Sequence, residues 1–273
     1  MKVAIIGAGV SGLACAITLE KNGIVPDVFE QLGQSGGRVP FHGALLQLMQ
    51  RPVPDPAIDL AKRYGIKITP LNLINKIVMV SPGNVAAARG WLGYSYARGA
   101  SAHSLESQLY GKLTATRVRF NTMVGCEELA GDYDRVVVAT GSGFFAMDRG
   151  YWSDIFRAWA RGAVVEGRFD PTAMVVWFNK AYANNGYGYL GAFNAEKASL
   201  ILIVSDVREE EVEFQMADVF GYGKNFLPGN REFSPGAQRR YLLSKAVWKH
   251  HFCRQRRRTF GLHAGVRHLL FYN

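Results

Sequence analysis

The pattern of apolar positions at the start of the chain predicts a β-α-β unit. Residues 2–6 form a short, β-branched apolar run that ends in glycine, as a buried strand does. From residue 11 to residue 22 the apolar side chains recur at helical spacing until Gly23 stops them, and residues 26–29 form a second short apolar run. We therefore expect two strands joined by one helix.

Later segments indicate more strands. An apolar run at residues 135–139 predicts a strand that joins the first sheet despite its distance in sequence. Other segments predict a helix near 57–64, after the proline-rich residues 51–56, and strands at 76–80, 90–97, 172–179, 186–193 and 198–207. Turn-rich loops join the last three strands, which favours an antiparallel arrangement.

These patterns predict an α/β fold, in which a Rossmann-like nucleotide-binding domain carries an inserted antiparallel β-sheet substrate domain. A chain of 273 residues can bury a substantial core. We assign residues 1–75 and 98–150 to the first domain, residues 76–97 and 151–215 to the second, and residues 216–273 to an incomplete C-terminal region.

The positive charge of the chain is confined to its end. The formal net charge is +10, yet nine of the 32 Lys and Arg residues and four of the six His residues fall in residues 235–273, which hold no Asp or Glu. The preceding part of the chain carries 23 basic and 22 acidic side chains. A composition break near residue 235 supplies the imbalance, so the body of the protein gives no reason to expect nucleic acid as a partner.

The three cysteines, Cys15, Cys126 and Cys253, have no paired spacing. That pattern argues against a disulfide framework or a zinc site and suits a reducing compartment. Glycines interrupt the apolar residues 3–19, and no other run approaches the about 20 apolar residues that a spanning helix requires. We expect a cytoplasmic protein without bound metal, in which any contact with a membrane is peripheral.

The turn GAGVSG, which begins at Gly7, has the spacing of a dinucleotide-binding loop. Gly7 would permit the tight turn, Gly9 would let a pyrophosphate approach the backbone, and Gly12 would let the helix pack closely on the strand. Ser11 falls in the first helical turn, whose N–H groups face the phosphates. Glu30 follows Gly12 by 18 residues, at the place where a carboxylate can accept hydrogen bonds from ribose hydroxyls.

Four further motifs favour FAD over NAD, which also binds to such a unit. They are Gly36-Gly37-Arg38 after the acid, Arg98 before an amphipathic helix, Val124 where backbone groups meet adenine, and Thr140-Gly141 after an apolar strand. In the FAD enzymes that this series resembles, the chain wraps back over the diphosphate and the arginine adds a charge-assisted contact. Nicotinamide enzymes commonly run on into a helix at this point. FAD is therefore the expected cofactor.

Over about residues 1–234 the chain resembles FAD-dependent oxidoreductases of the geranylgeranyl reductase type, relatives of the aromatic-ring hydroxylases. The segment MVVWFNKAYANNGYGYLGAF looks like the aromatic strand pair that forms one wall of their prenyl-chain cavity. The resemblance implies that this cavity is lined by Trp177, Tyr187 and Tyr189. Asn179 and Ala192 stand where such enzymes often have proline, and the aromatic side chains equally suit a sheet core.

The resemblance implies a role in lipid metabolism, as a reductase that delivers a hydride from FAD to a carbon-carbon double bond of a hydrophobic isoprenoid. Its electrons would come from NAD(P)H or a reduced carrier, nucleic acid would not be a partner, and peripheral membrane contact stays open. No residue is nominated as catalytic, because His42 and His103 are interpreted as loop residues. Two alternatives remain: an FAD-dependent hydroxylase, and a non-catalytic protein whose basic tail binds nucleic acid.

A shifted reading frame would explain the basic tail. One choice of codons for residues 237–241, read one nucleotide later, encodes HNAGI, and the same shift beneath residues 247–261 encodes SGNIIFAGNAGGPLD. That string resembles a glycine-rich third flavin motif, whose Gly and Ala codons become Arg codons after a one-base shift. We hypothesise a frameshift near residues 234–236. It would remove one wall of the flavin pocket, make flavin retention weak or absent, and mean that the positive charge is accidental.

Overall fold

The strands of the protein form two separate sheets. The computed structural model describes residues 1–37, 40–141, 144–151, 158–205, 234–235 and 270–272, and within them five strands form one sheet and eight strands form the other. This architecture confirms the predicted α/β fold, with a Rossmann-like sheet and a second sheet beside it.

The first sheet contains the predicted β-α-β unit. Strand β1 (Val3–Ile6) lies in its middle, between the parallel strands β2 (Asp27–Phe29) and β7 (Arg135–Val138). Strand β6 (Val118–Arg119) extends the sheet beyond β2, and β13 (Leu270–Tyr272) pairs antiparallel with the far side of β7. The prediction that the apolar run at residues 135–139 joins the first sheet is confirmed by β7. Strand β1 has a neighbouring strand on each side.

Three of the helices, Val10–Lys21, Pro56–Tyr64 and Leu105–Tyr110, lie where the sequence predicts them. Helix α1 (Val10–Lys21) buries Leu13, Ala16 and Ile17 in the core that it shares with β1. The other helical elements are shorter: α2 (Pro56–Tyr64), α3 (Leu105–Tyr110), α4 (Cys126–Leu129), α5 (Phe144–Asp148), α6 (Lys180–Ala183) and a 3-10 turn (Gln47–Gln50). Within the described residues, none of these helices combines the length and the apolar character needed to cross a bilayer.

The second sheet is mixed rather than wholly antiparallel. Its strands are β3 (Phe41–Leu46), β4 (Asn72–Ser81), β5 (Asn84–Arg98), β8 (Ala158–Glu166), β9 (Ala173–Trp177), β10 (Tyr187–Ala192), β11 (Lys197–Ser205) and β12 (Ser234–Pro235). Their spatial order is β12-β8-β11-β10-β9-β4-β5-β3, and β4 and β9 run parallel. The expectation of an antiparallel sheet is wrong for the pair β4 and β9. Between β5 and β8 the chain forms β6 and β7 of the first sheet, and β9 then pairs with β4 in the same direction.

Three strands of the second sheet, β3, β8 and the two-residue β12, are absent from the sequence-based prediction. Strand β3 lies within the segment assigned to the first domain, yet it pairs antiparallel with β5 along its six residues. Strand β8 pairs with β11 along nine residues. Small and polar residues interrupt the alternation of apolar and polar positions in β3 and β8. The conformation of these strands therefore depends more on long-range pairing than on local propensity.

The basic C-terminal region lies almost entirely outside the described residues. Its described parts are the two short strands β12 and β13. The incomplete region at residues 216–273 and the frameshift near residues 234–236 therefore stay predictions.

Candidate functional site

The glycine turn between β1 and α1 has two glycines that the fold requires and one that it does not. Gly7 adopts a φ of +105°, and a Cβ there would lie 2.6 Å from the carbonyl oxygen of Ala139. A Cβ on Gly12 would collide with the carbonyl oxygen of Gly7. Gly9 has an ordinary φ of −79°, and no atom of the described residues lies within 4 Å of its Cβ position. The turn is therefore open at Gly9.

Helix α1 begins at this open position. Gly9 is its N-cap, and no side chain from the described part of the chain caps the helix there. The first N–H groups of a helix have no partner within it, and the helix dipole adds partial positive charge at the same end. Ser11 and Gly12 belong to this first turn and are half-buried and buried. A phosphate could approach the backbone at Gly9 without displacing a side chain.

Glu30 places its carboxylate against the glycine turn. Its Oε2 accepts a hydrogen bond from the N–H of Ala8 at 2.8 Å, and its Oε1 accepts one from the N–H of Leu32 at 2.8 Å. The residue is 8% exposed, and its own backbone is bonded to Arg119 and Thr122. An ionised carboxylate offers about four lone-pair sites, so each oxygen can accept a further hydrogen bond from a ribose hydroxyl.

The segment after β6 lies beside the residues that follow β2. The N–H of Asn121 donates to the carbonyl of Leu32 at 3.0 Å, and the N–H of Thr122 donates to the carbonyl of Glu30 at 2.8 Å. Val124 follows two residues later and packs, half-buried, against the cluster that contains Phe29. The fold thus brings Val124 to the end of β2.

The turn after β7 lies against the glycine turn. A Cβ on Gly7 would be 3.1 Å from the Cα of Thr140. Thr140 and Gly141 are both exposed, and Gly141 has a φ of +70°. The two turns meet at the C-terminal edge of the parallel strands, which is where open α/β sheets bind their ligands.

A partly buried ion pair connects this edge to the second sheet. The Nε of Arg98, the last residue of β5, donates to Oε1 of Glu106 at 2.7 Å, and the N–H of Gly99 donates to Oε2 at 3.3 Å. Glu106 is 3% exposed and packs on Gly36, whose Cβ would lie 2.8 Å from the Cγ of Glu106. The loop after Glu30 therefore rests on the carboxylate that holds Arg98.

The predicted cofactor residues fall into two groups. Around the C-terminal edge of β1 and β2 lie Gly7, Gly9, Ser11, Gly12, Glu30, Val124, Thr140 and Gly141. Arg98 pairs with Glu106, and the exposed Gly37 follows Gly36, which packs on Glu106, whereas Arg38 lies outside the described residues. The ion pair on Glu106 joins the two groups.

Glu106 is the site residue that sequence reasoning misses. Ser104 caps α3 by accepting the N–H of Ser107 at 3.1 Å, and Glu106 occupies the first turn of that helix. An acidic residue in a capped first turn is usually explained by the helix dipole alone. Nothing in the sequence therefore separates this buried carboxylate from an ordinary surface charge.

The three predicted cavity residues do not share one face of the second sheet. Trp177 pairs directly with Gly188 across β9 and β10. The neighbours of Gly188 in sequence, Tyr187 and Tyr189, therefore point to the other face. Trp177 is 2% exposed within the core cluster of this sheet. This placement corrects the expectation that Trp177 lines the same surface as the tyrosines, because an offset of one residue on a strand reverses its face.

The surface that carries Tyr189 also holds a buried histidine. The Oη of Tyr189 donates to the backbone carbonyl of His42 at 3.0 Å, and the His42 ring packs directly on Gly191. Burial lowers the pKa of His42 to about 4, and its Nδ1 has no hydrogen-bond partner among the described residues. Burial also raises the pKa of Tyr189. His42 is thus a neutral strand residue, whereas the sequence indicates a loop.

Known proteins share this arrangement of sheets. Residues 5–43 match the family model described as an NAD(P)-binding Rossmann-like domain. The chain is similar to a geranylgeranyl bacteriochlorophyll reductase-like protein from Thermoplasma acidophilum, with 11% identity, a TM-score of 0.57, and coverage of 85% of this chain and 64% of that one. The chain has the fold of FAD-dependent oxidoreductases.

Other proteins with this fold have different names and reactions. CmlS, a flavin-dependent halogenase, is 19% identical with a TM-score of 0.56, over 86% of this chain and 48% of that one. A 2-methyl-3-hydroxypyridine-5-carboxylic acid oxygenase is 13% identical with a TM-score of 0.52, over 77% of this chain and 60% of that one. The chain spans about half to two thirds of the length of these structures, and a shared fold does not select among reactions.

Proposed function

We propose that the protein is an FAD-dependent oxidoreductase that reduces carbon-carbon double bonds of a hydrophobic isoprenoid. The path of the chain after Glu30 carries the proposal. Residues 31–37 do not form a helix, Gly36 packs on Glu106, and the next strand of the chain is β3 of the second sheet. A nicotinamide-binding unit usually continues into a helix at this point, so the path supports FAD over NAD.

The residues around β1 fit the adenine half of FAD. Gly9 leaves a backbone cradle that a Cβ would fill, next to the N-terminus of α1. Glu30 has acceptor sites left for ribose hydroxyls, and Val124, at the end of β2, would contact the adenine. Arg98, fixed by Glu106, would contact the diphosphate or the flavin end from the second sheet.

The flavin, when bound, supplies hydride transfer. The residues of this chain would contribute binding, orientation and exclusion of water. Tyr187 and Tyr189 present aromatic rings with centroids 6.3 Å apart on one face of the second sheet, and Phe178 adds a third ring 6.2 Å from that of Tyr187. Such a row of aromatic rings suits a long apolar chain, which supports an isoprenoid as the substrate class.

The reductase-like neighbour is consistent with this substrate class, and the oxygenase neighbour supports a second candidate, flavin-dependent hydroxylation. Either reaction needs electrons from NAD(P)H or a reduced carrier, and neither needs nucleic acid. Tyr187 and Tyr189 would line the substrate site in either reaction. Analysis of the product therefore has to distinguish reduction from hydroxylation.

The test uses full-length protein supplied with FAD, reduced by dithionite without oxygen, and then mixed with a geranylgeranyl compound. A reductase reoxidises its flavin and yields a product that has gained two hydrogen atoms. A hydroxylase leaves the isoprenoid unchanged until oxygen is admitted and then adds one oxygen atom. Absence of anaerobic flavin reoxidation, together with an isoprenoid that is still unchanged after oxygen is admitted, would overturn the proposed substrate class if FAD is bound.

A further inference from the structure

One edge of the second sheet lacks a neighbouring strand along part of its length. Strand β5 has 15 residues, but β3 pairs only with its last part, from Gly93 to Arg98. On its other side, β5 pairs with β4 as far as the hairpin turn that joins the two strands. Within the described residues, the outer side of residues 84–90 therefore has no strand beside it. We call residues 84–90 the open edge.

The open edge is exposed to solvent. Val85 is 63% exposed, and Asn84, Ala86, Ala87 and Arg89 are exposed as well. Proline is absent from this stretch of sequence, and Arg89 is its one charged residue. Natural proteins blunt exposed edges with prolines, several charges or a covering loop, because unpaired N–H and C=O groups there otherwise bind another strand. The open edge is therefore suited to strand pairing.

The hairpin turn decides which backbone groups of the open edge point outward. Ser81 on β4 lies opposite Asn84 across a two-residue turn, so these two residues exchange both of their backbone hydrogen bonds. Bonded and non-bonded pairs alternate along an antiparallel ladder, and this ladder has no register shift between Asn84 and Arg89. Strand β4 therefore binds the N–H and C=O groups of alternate residues, starting with Asn84. The N–H and C=O groups of Val85, Ala87 and Arg89 point away from β4.

These outward groups are arranged symmetrically about Ala87. When a second copy of the chain lies antiparallel, with a two-fold axis at Ala87, Val85 of each copy lies opposite Arg89 of the other. Ala87 then lies opposite its own counterpart. Each of these pairs can exchange two N–H···O bonds, which gives about six hydrogen bonds in total. Every outward backbone group from Val85 to Arg89 is then bonded.

The side chains of the open edge permit this pairing. A two-fold axis brings identical residues together, so the residue at the axis has to be small and uncharged, as Ala87 is. Ala86 would face Ala88 of the other copy, and the aliphatic stem of Arg89 could cover the exposed surface of Val85. The two Arg89 residues would lie four positions apart along the strands, about 13 Å, which exceeds the Debye length of about 8 Å at physiological salt.

We propose that the protein forms a two-fold dimer in which the open edges of two copies pair antiparallel at Ala87, so that their second sheets become continuous. A second copy matches the open edge along its whole length, in donors, acceptors and side-chain size. A foreign strand selected by charge would find only Arg89 to bind. The inference stands apart from the proposed reaction, because no residue of the open edge is assigned to the cofactor or to the substrate.

The first test is the mass of the full-length protein in solution, measured by sedimentation at concentrations up to about 1 mM. The original protein should dimerise reversibly. Ala87→Lys places two like charges at the axis, near Arg89, and should raise the dimer dissociation constant about tenfold. Ala87→Glu should raise it less, and a mixture of the two variants should associate more tightly than either alone. The control Ala195→Lys, on the exposed hairpin between β10 and β11, should dimerise as the original protein does.

The proposal is overturned when the original protein is monomeric at every concentration, or when Ala87→Lys associates as tightly as Ala195→Lys. It is also overturned when mixing Ala87→Lys with Ala87→Glu restores no association. Both Ala87 variants should unfold in urea with the free energy of the original protein, since the side chain is exposed. FAD titration of the same samples tests the proposed function separately, because dimerisation does not depend on the cofactor.

A second readout locates the interface. Amide hydrogen exchange, resolved to single residues, should slow about tenfold at Val85, Ala87 and Arg89 when the protein is concentrated. The amides of Ala86 and Ala88, which are bonded to β4, should be slow at every concentration. A dimer in which the Ala87 amide stays fast has its interface elsewhere, and a monomer in which it is already slow has another part of the same chain on the open edge. Either result would contradict the proposal.

Discussion

The N–H of Ala8 donates a hydrogen bond to Oε2 of Glu30 across 2.8 Å, and this bond ties the glycine turn to the end of β2. The same carboxylate also fixes the chain that leaves β2, through the N–H of Leu32. The acid proposed to bind a ribose thus also shapes the turn proposed to bind its phosphates. Changes at Glu30 should therefore affect both nucleotide binding and the stability of the turn.

Glu30→Gln should weaken FAD binding about tenfold to a hundredfold, because hydrogen bonds to a charged group are each worth about 1.5–3 kcal/mol. The amide keeps the shape of the side chain but only one acceptor oxygen, so the N–H of Ala8 or of Leu32 loses its partner and the free energy of unfolding should also fall, by about 1–3 kcal/mol. Fluorescence titration with FAD measures the effect. The control is Glu196→Gln on the exposed hairpin between β10 and β11. Equal affinity of the two variants would contradict the role of Glu30.

Gly9 and Gly12 should respond in opposite ways to added side chains. Gly9→Ser should keep the unfolding free energy within about 1 kcal/mol, because serine is a favoured N-cap, yet it should abolish FAD binding by filling the cradle. Gly12→Ala should destabilise the fold by about 2 kcal/mol, because its Cβ would meet the carbonyl of Gly7. Urea unfolding and FAD titration of both variants check this. Retained FAD binding in Gly9→Ser would argue against the cradle.

Glu20 should make the stability of the protein depend on pH. Burial alone would raise its pKa, but hydrogen bonds from Thr116 and Thr114 outweigh burial and lower the pKa from 4.5 to about 2. The stabilisation is therefore complete above pH 4.5 and is lost as the pH falls towards 2.

The measurement is urea unfolding of the original protein and of Glu20→Gln at a series of pH values. The difference in unfolding free energy should stay constant above about pH 5 and shrink below it. Glu196→Gln provides the reference for an exposed carboxyl group. A difference that does not vary with pH would show that the hydrogen bonds to Glu20 are not formed.

Gly191 should be intolerant of a side chain because His42 lies directly on it. Gly191→Ala should cost about 2 kcal/mol of unfolding free energy, whereas Gly131→Ala, at an exposed site with open space, should be nearly neutral. His42→Ala removes the ring, so the double variant should lose less than the sum of the two single variants. Strict additivity in this cycle would mean that the two residues do not touch.

The sequence predicts best those features whose signal is local. The alternation from strand to helix to strand predicts β1, α1 and β2, and the spacing of Gly7, Gly9 and Gly12 predicts the tight turn between β1 and α1. Glu30 is found because the end of the second strand can be counted from the glycines. Each of these inferences needs fewer than about 30 consecutive residues, as expected for a βαβ unit.

Features that depend on distant partners are not predictable in this way. Strand β3 takes its conformation from pairing with β5, and His42 is buried only because β10 presents Gly191 to it. Glu106 becomes a buried ion-pair partner because Gly36 packs on it and Arg98 binds it, and these two residues come from other parts of the chain. Such contacts produce no periodic pattern in the sequence from which they could be predicted.

The central claim, that the C-terminal edge of β1 holds FAD, is tested most directly by calorimetric titration of the purified protein with FAD, ADP and NAD⁺. We expect FAD to bind at one site, ADP to compete for it, NAD⁺ to bind more weakly, and Gly9→Ser to remove the FAD signal. An absence of heat with both FAD and ADP, or FAD binding that is the same in Gly9→Ser, would contradict the claim.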